Sequence, residues 1–226
     1  MALVEDLADL FYPHVCGGCD VHLRRHEQHL CLHCSHGLPK TYFWDYRVNP
    51  VEQLFWGRLE VSSACSFLHF EKQSVVQRLM HRFKYEGRSG IGQGLGKMFA
   101  QTLMQKDWFT DVDLVVPIPL HPAKEQRRGY NQSRYIANGM GEVYDVPVRS
   151  RALERAVPSE SQTSKTRYER AVNVEQVFTT EPNSFSGKVV LLVDDVVTTG
   201  ATLESAGNLI LTNGAVRLYI ATLACA

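Results

Sequence analysis

Two adjacent carboxylates, Asp194 and Asp195, come directly before a turn rich in threonine and glycine. The turn contains Thr198, Thr199, Gly200, Ala201 and Thr202. Threonine hydroxyls and the amides of a glycine-containing turn are donors suited to a monophosphate. Two carboxylates beside a phosphate would repel it, so they favour a different role, either accepting hydrogen bonds from sugar hydroxyls or holding Mg²⁺ that bridges to a second phosphate group. Together these groups predict a site for a phosphorylated ribose.

A strand, a loop and a helix must position these groups. Residues 189–193 form a charge-free, mostly β-branched run that is typical of a strand buried on both faces. After the turn, Leu203 and Ile210 lie at helical spacing, and Asn213 with Gly214 indicates the helix end. The turn is therefore predicted at a helix N-terminus, where free amides favour an anion. For an isolated Asp-Asp pair the alternative is a capped helix with a solvated acidic turn.

A second pattern consists of four cysteines in two Cys-x₂-Cys pairs with eleven residues between them: Cys16, Cys19, Cys31 and Cys34. Four thiolates so grouped can enclose a tetrahedral Zn²⁺, and metal binding would supply the folding free energy of a segment with few hydrophobic residues. The alternatives are a thioredoxin-type redox pair or two disulfides in an exported protein, and neither explains the double pair. Five nearby histidines are predicted to face solvent: His22, His26, His29, His33 and His36.

Length and composition set the limits of the fold. The chain has 226 residues, 44% of them hydrophobic, which suffices for one α/β domain and a small appendage. The 24 basic residues balance 24 acidic ones, so nucleic-acid or membrane contact must rest on a local patch. No apolar run approaches transmembrane length, and residues 3–11 do not resemble a secretion signal. Six cysteines then fit reduced thiols, and we expect a cytoplasmic location without membrane insertion.

Three parts are predicted along the chain. Residues 1–37 hold a short amphipathic helix followed by the cysteine segment. Residues 38–58 are aromatic-rich and aperiodic and are interpreted as an ordered linker. Residues 59–226 form the main domain, in which an apolar helix ends near Lys84. A lysine at a helix end is ordinarily a solvated residue that faces the helix dipole.

The segment from Val193 to Thr202 resembles the phosphoribosyl pyrophosphate (PRPP) motif of type I phosphoribosyltransferases. This resemblance implies an α/β fold with a parallel sheet flanked by helices, to which the chain adds a small N-terminal Cys₄ zinc ribbon. It further implies that Asp194 and Asp195 hold the ribose hydroxyls and that residues 198–202 bind the 5′-phosphate. Mg²⁺ is expected to bind with PRPP.

A second resemblance is to the competence-associated ComF family, a branch of the phosphoribosyltransferase superfamily. Four stretches carry it: Phe83-Lys84-Tyr85, Val116-Pro-Ile-Pro-Leu-His-Pro122, Arg128-Gly-Tyr-Asn-Gln132, and Ser161-Gln162 with Arg167 and Arg170-Ala-Val-Asn173. The zinc ribbon, linker, basic hood loop and PRPP motif occur in ComF order, so the resemblance covers nearly the whole chain. The resemblance implies a role for Lys84 near pyrophosphate and places Pro117 and Ile118 in the pyrophosphate loop. It also assigns Arg127 and Arg128 to a flexible basic loop that closes over PRPP, although the charge alone is compatible with a solvated face.

Three functions follow from the ComF resemblance. The first is a PRPP-binding accessory factor of natural competence, whose basic loops and zinc ribbon contact single-stranded DNA, a competence helicase or another DNA-processing protein. The second is an active phosphoribosyltransferase that moves ribose 5-phosphate from PRPP to an unidentified acceptor and releases pyrophosphate. No nucleobase hood like those of salvage enzymes is recognisable, which leaves the acceptor open. The third, a scaffold with a decayed pocket, is disfavoured by the intact motif.

Overall fold

The computed structural model describes residues 14–155 and 177–226. The strands are β1 (Ser63–His69), β2 (Leu114–Pro117), β3 (Glu154–Arg155), β4 (Phe178–Thr179), β5 (Val189–Val197) and β6 (Arg217–Cys225). The helices are α1 (Leu32–His36), α2 (Pro50–Gln53), α3 (Val75–Tyr85), α4 (Ser89–Leu103), α5 (Pro122–Arg128), α6 (Gln132–Tyr144) and α7 (Ala201–Thr212). The predicted helix over residues 3–11 and the ComF-like pattern from Ser161 to Asn173 lie outside the described residues.

The main sheet has four parallel strands in the order β1-β6-β5-β2. Its register places Pro117 opposite Val193, and Val193 opposite Ala221. Ligands of open parallel sheets bind outside the carboxyl ends of the strands, so this row of residues marks the edge where a site is expected. The parallel sheet and its flanking helices confirm the predicted fold class. A separate antiparallel pair is formed by β3 and β4.

Both faces of β5 are buried, as its charge-free sequence predicted. Leu191 packs on one face in a cluster with side chains of α3, α4 and α6. Leu192 packs on the other face with Phe55 and side chains of α7. Each such side chain contributes roughly 1.5–3 kcal/mol through burial. Packing on both faces of β5 fixes the end of the strand, and therefore the positions of Asp194 and Asp195.

Close packing of α4 against α6 positions one side of this edge. A side chain at Gly96 would collide with the backbone of Ile136, and one at Gly139 would collide with the backbone at Gln93 and Lys97. The two helices therefore approach backbone to backbone. The start of α6, which carries Asn131 as its N-cap, is held rigidly beside the ends of β2 and β5.

The segment interpreted as a linker is packed into the domain. The side chain of Trp44 is 3% exposed and that of Phe55 is fully buried. Asn49 caps α2 through the amide of Val51 and also donates its Nδ2 to the carbonyl of Ala64, 2.9 Å away. The sequence lacks periodicity here because the chain follows short turns and side-chain hydrogen bonds instead of a long helix or strand.

Residues 122–128 form the helix α5, so the prediction of a loop at Arg127 and Arg128 is wrong. The ring of His121 accepts a hydrogen bond from the amide of Ala123, and Pro122 occupies the first helical turn. Gly129 ends the helix with a φ of 80°. Proline at the start and glycine past the end are ordinary helix boundaries, which the basic composition of the segment obscured.

None of the helices within residues 14–155 and 177–226 combines the length and the apolar character needed to cross a bilayer.

Candidate functional site

Two carboxylates emerge at the carboxyl edge of the sheet, each held by one oxygen. Oδ1 of Asp194 accepts hydrogen bonds from the hydroxyl of Ser133 and from the amide of Asp195, both at 2.8 Å. Oδ2 of Asp195 lies 2.7 Å from Nζ of Lys84. Within the described residues, the second oxygen of each carboxylate accepts no hydrogen bond. Both carboxylates are thus oriented and each keeps one oxygen for a ligand.

Burial controls the ionisation of Asp194. Loss of hydration, and then the neighbouring charge of Asp195, raise the pKa of Asp194 to about 7. The hydrogen bonds from Ser133 and the Asp195 amide, together with the charge of Lys84, oppose this rise. Asp194 keeps contact with a small cavity, so solvent moderates the effect of burial. Near neutral pH, the carboxylate is poised between its two protonation states.

The residues that follow β5 form a phosphate cradle, a name we use for residues 198–202. Thr198 and Thr199 are exposed, Gly200 has a φ of 77°, and α7 begins at Ala201. The N-cap residue Gly200 makes no side-chain cap, and the amide of Ala201 has only a long contact of 3.5 Å with the hydroxyl of Thr199, so the first turn of α7 can offer its amides to an anion. The cradle and Asp194 line a cavity of about 50 Å³. Its size and donors suit a single phosphate group.

Two residues from the segment before β1 form the outer wall of the phosphate cradle. Nη2 of Arg58 donates to the carbonyl of Thr199 at 3.1 Å and lies 2.9 Å from Oε2 of Glu204. The ring of Phe55 would lie 3.0 Å from a Cβ at Gly200. Sequence reasoning missed Arg58 and Ser133, because neither belongs to a motif and both reach the site only through the fold.

The end of β2 lies directly beside the carboxylates. Ile118 donates its amide to the carbonyl of Val193 at 2.9 Å, which places Ile118 and the preceding Pro117 at the same edge as Asp194. Asn131 donates its Nδ2 to the carbonyl of Ile118 at 2.9 Å and accepts a hydrogen bond from the amide of Ser133. Asn131 therefore couples the exit of β2 to the residue that orients Asp194.

Of the two predicted basic residues, Arg128 is the one the structure brings against α3. Its guanidinium lies 5.6 Å from the ring centroid of Tyr85 and donates to Oε1 of Gln132 at 2.9 Å. The hydroxyl of Tyr130 donates to the carbonyl of Phe83. These contacts join the connection between α5 and α6 to the helix end that carries Lys84. Arg127 is exposed and forms no salt bridge within the described part of the chain.

The four cysteines converge into one cluster. Their sulfur atoms lie within 4.8 Å of one another, and those of Cys19 and Cys31 are 3.7 Å apart. Tetrahedral ligation with Zn–S bonds of about 2.3 Å corresponds to sulfur atoms about 3.8 Å apart, so the cluster fits a metal such as zinc. Burial raises the pKa of Cys16, but hydrogen bonds from the amides of Cys31 and Gly18 outweigh it, and the pKa falls to about 7. A thiolate is thereby favoured.

Among the described residues, the candidate metal-ligand group consists of these four cysteines alone. His22, His26, His33 and His36 are exposed, as predicted. The prediction for His29 is wrong, because its ring packs against Gly90 and Gly94 of α4 and burial lowers its pKa. Glycines on the facing helix create the space for that ring, a relation that the local sequence does not reveal.

The cysteine cluster is docked onto α3. Arg82 is mostly buried and donates to the carbonyls of Cys16 and Gly17 at 3.2 and 3.0 Å. Arg78 donates to the carbonyl of Gly18 at 3.0 Å. The last turn of the same helix carries Lys84, which pairs with Asp195. One helix thus contacts both the cysteine cluster and the carboxylate pair.

Comparison with known proteins agrees with this arrangement. The phosphoribosyl transferase domain family matches residues 127–225. Competence protein F of Haemophilus influenzae is 25% identical over 202 residues, which span 87% of this chain and 83% of that protein. Competence protein ComFC of Bacillus subtilis is 28% identical over 209 residues, 88% of this chain and 79% of that protein. Over most of its length, the chain is therefore similar to proteins of the ComF family. DNA utilization protein YhgH of Escherichia coli is 28% identical over 145 residues, 63% of each chain.

The domain match covers only part of the site. It includes Ser133, the two carboxylates, the phosphate cradle and both arginines of α5. Arg58, Lys84 and the cysteine cluster precede the matched residues. The structure brings Lys84 and Arg58 to opposite sides of the motif, on Asp195 and on the phosphate cradle. The site therefore combines the matched domain with residues from the first half of the chain.

Proposed function

We propose that this ComF-like protein binds PRPP at the carboxyl edge of its sheet. The free oxygens of Asp194 and Asp195 accept hydrogen bonds from the ribose hydroxyls, and the phosphate cradle takes the 5′-phosphate. The observation that carries the proposal is the pair of oriented carboxylates placed immediately before a helix N-terminus with free amides. Sugar hydroxyls donate to the carboxylates, whereas amides and hydroxyls donate to the phosphate.

The pyrophosphate group is assigned to the basic residues Lys84, Arg127 and Arg128. Lys84 and Arg128 lie on the α3 side of the carboxylates, and Pro117 with Ile118 forms the adjoining backbone. Arg127 supplies a further exposed charge on the last turn of α5. Mg²⁺ bound with PRPP would be held between the acidic pair and the pyrophosphate, where it supplies charge neutralisation. We propose zinc as the metal of the cysteine cluster, with a structural role.

The biological role we propose is that of an accessory factor in natural competence. The support is the family, whose relatives are named as competence and DNA utilization proteins. Two surfaces are proposed to contact single-stranded DNA or a DNA-processing partner such as a helicase. They are the basic end of α5, with Arg127 and Arg128, and the cysteine cluster docked on α3. A cytoplasmic location is proposed with this role, since a structural metal on four cysteines requires reduced thiols.

A second candidate function is phosphoribosyl transfer, favoured by the ion pair of Lys84 with Asp195 beside the proposed pyrophosphate. In this reaction the bond between ribose C1 and the pyrophosphate oxygen breaks, and a bond from C1 to an acceptor nucleophile forms. The acceptor loses a proton, and pyrophosphate leaves with the bonding electron pair. Lys84, Arg127 and Arg128 would stabilise the charge that develops on the leaving group.

Calorimetric titration with Mg²⁺-PRPP tests the binding proposal. Wild-type protein is expected to bind, and Asp194→Asn and Asp195→Asn are each expected to bind about tenfold or more weakly while remaining folded. Unchanged affinity in both variants would refute the assigned roles. A pyrophosphate-release assay, with and without single-stranded DNA, then separates the two functions. Turnover with a defined acceptor supports the transferase, and binding of PRPP and DNA without release supports the accessory role.

A further inference from the structure

Arg58 contacts the phosphate cradle but does not line its cavity. We propose that Arg58 is a positioning residue for the 5′-phosphate: it fixes the peptide that presents the Gly200 amide and neutralises Glu204 beside the cradle. This inference rests on the proposed PRPP function and deepens it. Arg58 lies in the segment interpreted as a linker, far from the motif in sequence, and no pattern in that segment indicates the role.

The first argument is the geometry of one peptide bond. Nη2 of Arg58 donates to the carbonyl of Thr199 at 3.1 Å. No described residue has a cis peptide bond, so the carbonyl of Thr199 and the amide hydrogen of Gly200 point in opposite directions. By holding the carbonyl of Thr199, Arg58 fixes the direction of the Gly200 amide, which points away from the guanidinium. The cradle is then pre-organised, and phosphate binding does not have to bring about this ordering.

The second argument is that this peptide needs an external restraint. Gly200 has a φ of 77°, which glycine adopts readily because it has no Cβ. For the same reason, the backbone at Gly200 can move to other conformations unless a neighbouring group restrains it. Phe55, which is fully buried, limits movement on one side, since its ring would lie 3.0 Å from a Cβ at Gly200. Arg58 supplies the directional contact that an apolar ring cannot supply.

The third argument concerns the charge of Glu204. This carboxylate belongs to the first turn of α7, at the end of the helix that receives the phosphate. Its negative charge favours the helix N-terminus but repels a phosphate dianion there. The ion pair with Arg58, 2.9 Å long, neutralises that charge. Because the two side chains are 41% and 30% exposed, the pair adds little to folding stability, and its effect falls mainly on the ligand.

Three ligands separate positioning from a general structural effect. Ribose 5-phosphate carries the 5′-phosphate alone, pyrophosphate lacks it, and PRPP carries both groups. We expect Arg58→Ala in the full chain to weaken binding of ribose 5-phosphate and PRPP by about tenfold or more. Pyrophosphate affinity should stay within about twofold, since Lys84 and Arg128 are untouched. Arg58→Lys, which keeps a charged donor, should recover part of the loss.

A double mutant divides the two contributions of Arg58. Replacing Glu204 by Gln in the Arg58→Ala background removes the uncompensated carboxylate, so affinity for ribose 5-phosphate should partly return. The loss that remains measures the positioning of the Thr199 peptide. Arg217→Ala is the matched control. Arg217 pairs with Asp111 at the start of β6, and the cradle lies beyond the other end of the strands. The control variant should bind all three ligands as the wild type does.

Three results would overturn the inference, and they are distinct. If wild-type protein binds ribose 5-phosphate and Arg58→Ala binds it equally well, the positioning role is wrong and PRPP binding stands. If the Arg58 variants lose pyrophosphate affinity to the same extent, the residue acts on the fold as a whole. If wild-type protein binds none of the three ligands, the proposed function fails and the inference fails with it. If Arg58→Ala does not fold, the affinities of Arg58→Lys for ribose 5-phosphate and pyrophosphate are compared in its place, and a loss confined to ribose 5-phosphate supports the positioning role.

Discussion

The ammonium group of Lys84 lies 2.7 Å from a carboxylate oxygen of Asp195. Lys84 is the second-last residue of α3 and Asp195 lies near the end of β5, so this ion pair joins two elements that the sequence separates widely. Both side chains are about four-fifths buried, with exposed fractions of 20% and 17%. The lysine therefore compensates two neighbouring carboxylates in a place that water reaches poorly, and it is not a solvated residue facing its helix dipole.

Replacing Lys84 by Met keeps the length of the side chain and removes its charge. Asp194 and Asp195 then remain without a cation, and pyrophosphate, which brings further negative charge, loses its partner. We expect PRPP affinity to fall by about tenfold or more and the free energy of unfolding to fall by roughly 1–3 kcal/mol. Titration calorimetry and urea unfolding measure the two effects.

Two control variants accompany Lys84→Met. Lys84→Arg keeps the charge and should retain most of the affinity. Lys97→Met removes a lysine paired with Glu142, near the end of α6 that lies away from Ser133, and should bind PRPP normally. Equal affinity in wild type and Lys84→Met would contradict a role for Lys84 at the pyrophosphate.

Stability is expected to depend on pH through Asp194. Its pKa is raised to about 7 in the folded protein, while an unfolded aspartate titrates near 3.9, so the folded state holds the proton more tightly. The contribution of Asp194 to the free energy of unfolding is therefore constant below about pH 4, falls as the pH rises towards 7, and is constant again above it. In ligand-free Asp194→Asn this fall should disappear.

At pH 8, Asp194→Asn should be more stable than wild type by roughly 1–3 kcal/mol: a rise of about three pKa units corresponds to about 4 kcal/mol, and solvent in the adjoining cavity reduces this value. Ser133→Ala should have the opposite effect at pH 8, because it removes a hydrogen bond that favours the ionised form, raises the pKa of Asp194 further and so extends the fall in stability to higher pH. Urea unfolding of the three proteins between pH 5 and pH 8 is the measurement. Parallel stability profiles in wild type and Asp194→Asn would show that Asp194 does not titrate in this range.

Local sequence patterns correctly predicted the strand and the helix on either side of the Asp194–Thr202 segment. The charge-free run before Asp194 is a strand buried on both faces, and the turn after it opens α7, because buried strands and helix starts leave signatures in neighbouring residues. The cysteine cluster followed from spacing for the same reason. What could not be predicted was the supporting contacts. Ser133 and Arg58 reach the site through tertiary packing, which no window of sequence contains.

The errors of the sequence-based predictions have physical causes. At Arg127 and Arg128, a run of charge favoured a loop, although the structure forms a short helix bounded by proline and glycine. At His29, exposure was predicted because four correctly spaced cysteines leave no need for a histidine ligand, and the two glycines of α4 that receive the ring lie far along the chain. The segment before β1 has no period, yet Trp44 and Phe55 are core residues, because irregular chain can bury large side chains when its polar groups find partners.

One equivalent of zinc per chain is expected on the cysteine cluster. Cys31→Ser should lose the metal and weaken the docking on α3, since the carbonyls that Arg82 holds belong to Cys16 and Gly17, and the metal would tie Cys16 to Cys31. Cys225→Ser, which changes a thiol outside the cluster, should keep it. Metal analysis of freshly purified protein, without chelator, gives the content. Less than about half an equivalent, with oxidised thiols, would rule out a structural zinc site.

Arg127 and Arg128 separate the two proposed functions, because the structure gives them different surroundings. Arg127 is exposed, so Arg127→Ala removes little besides charge, whereas Arg128→Ala also removes the contact with Tyr85 and the hydrogen bond to Gln132. If α5 contacts single-stranded DNA, the double variant should bind DNA more weakly and lose roughly one unit of the salt dependence, since each phosphate contact contributes about −0.7 to the slope.

For PRPP, the loss should come mainly from Arg128, which lies against the helix end that carries Lys84. Fluorescence titration with labelled single-stranded DNA at several salt concentrations, beside calorimetry with PRPP, measures both ligands on the same variants. Arg149→Ala is the control, because Arg149 is exposed, lies outside α5 and donates to the backbone carbonyl of Ser184. We expect both affinities to fall in the double variant. A loss confined to PRPP would assign α5 to the pyrophosphate alone, and wild-type protein that binds neither ligand would leave the scaffold hypothesis in place of both functions.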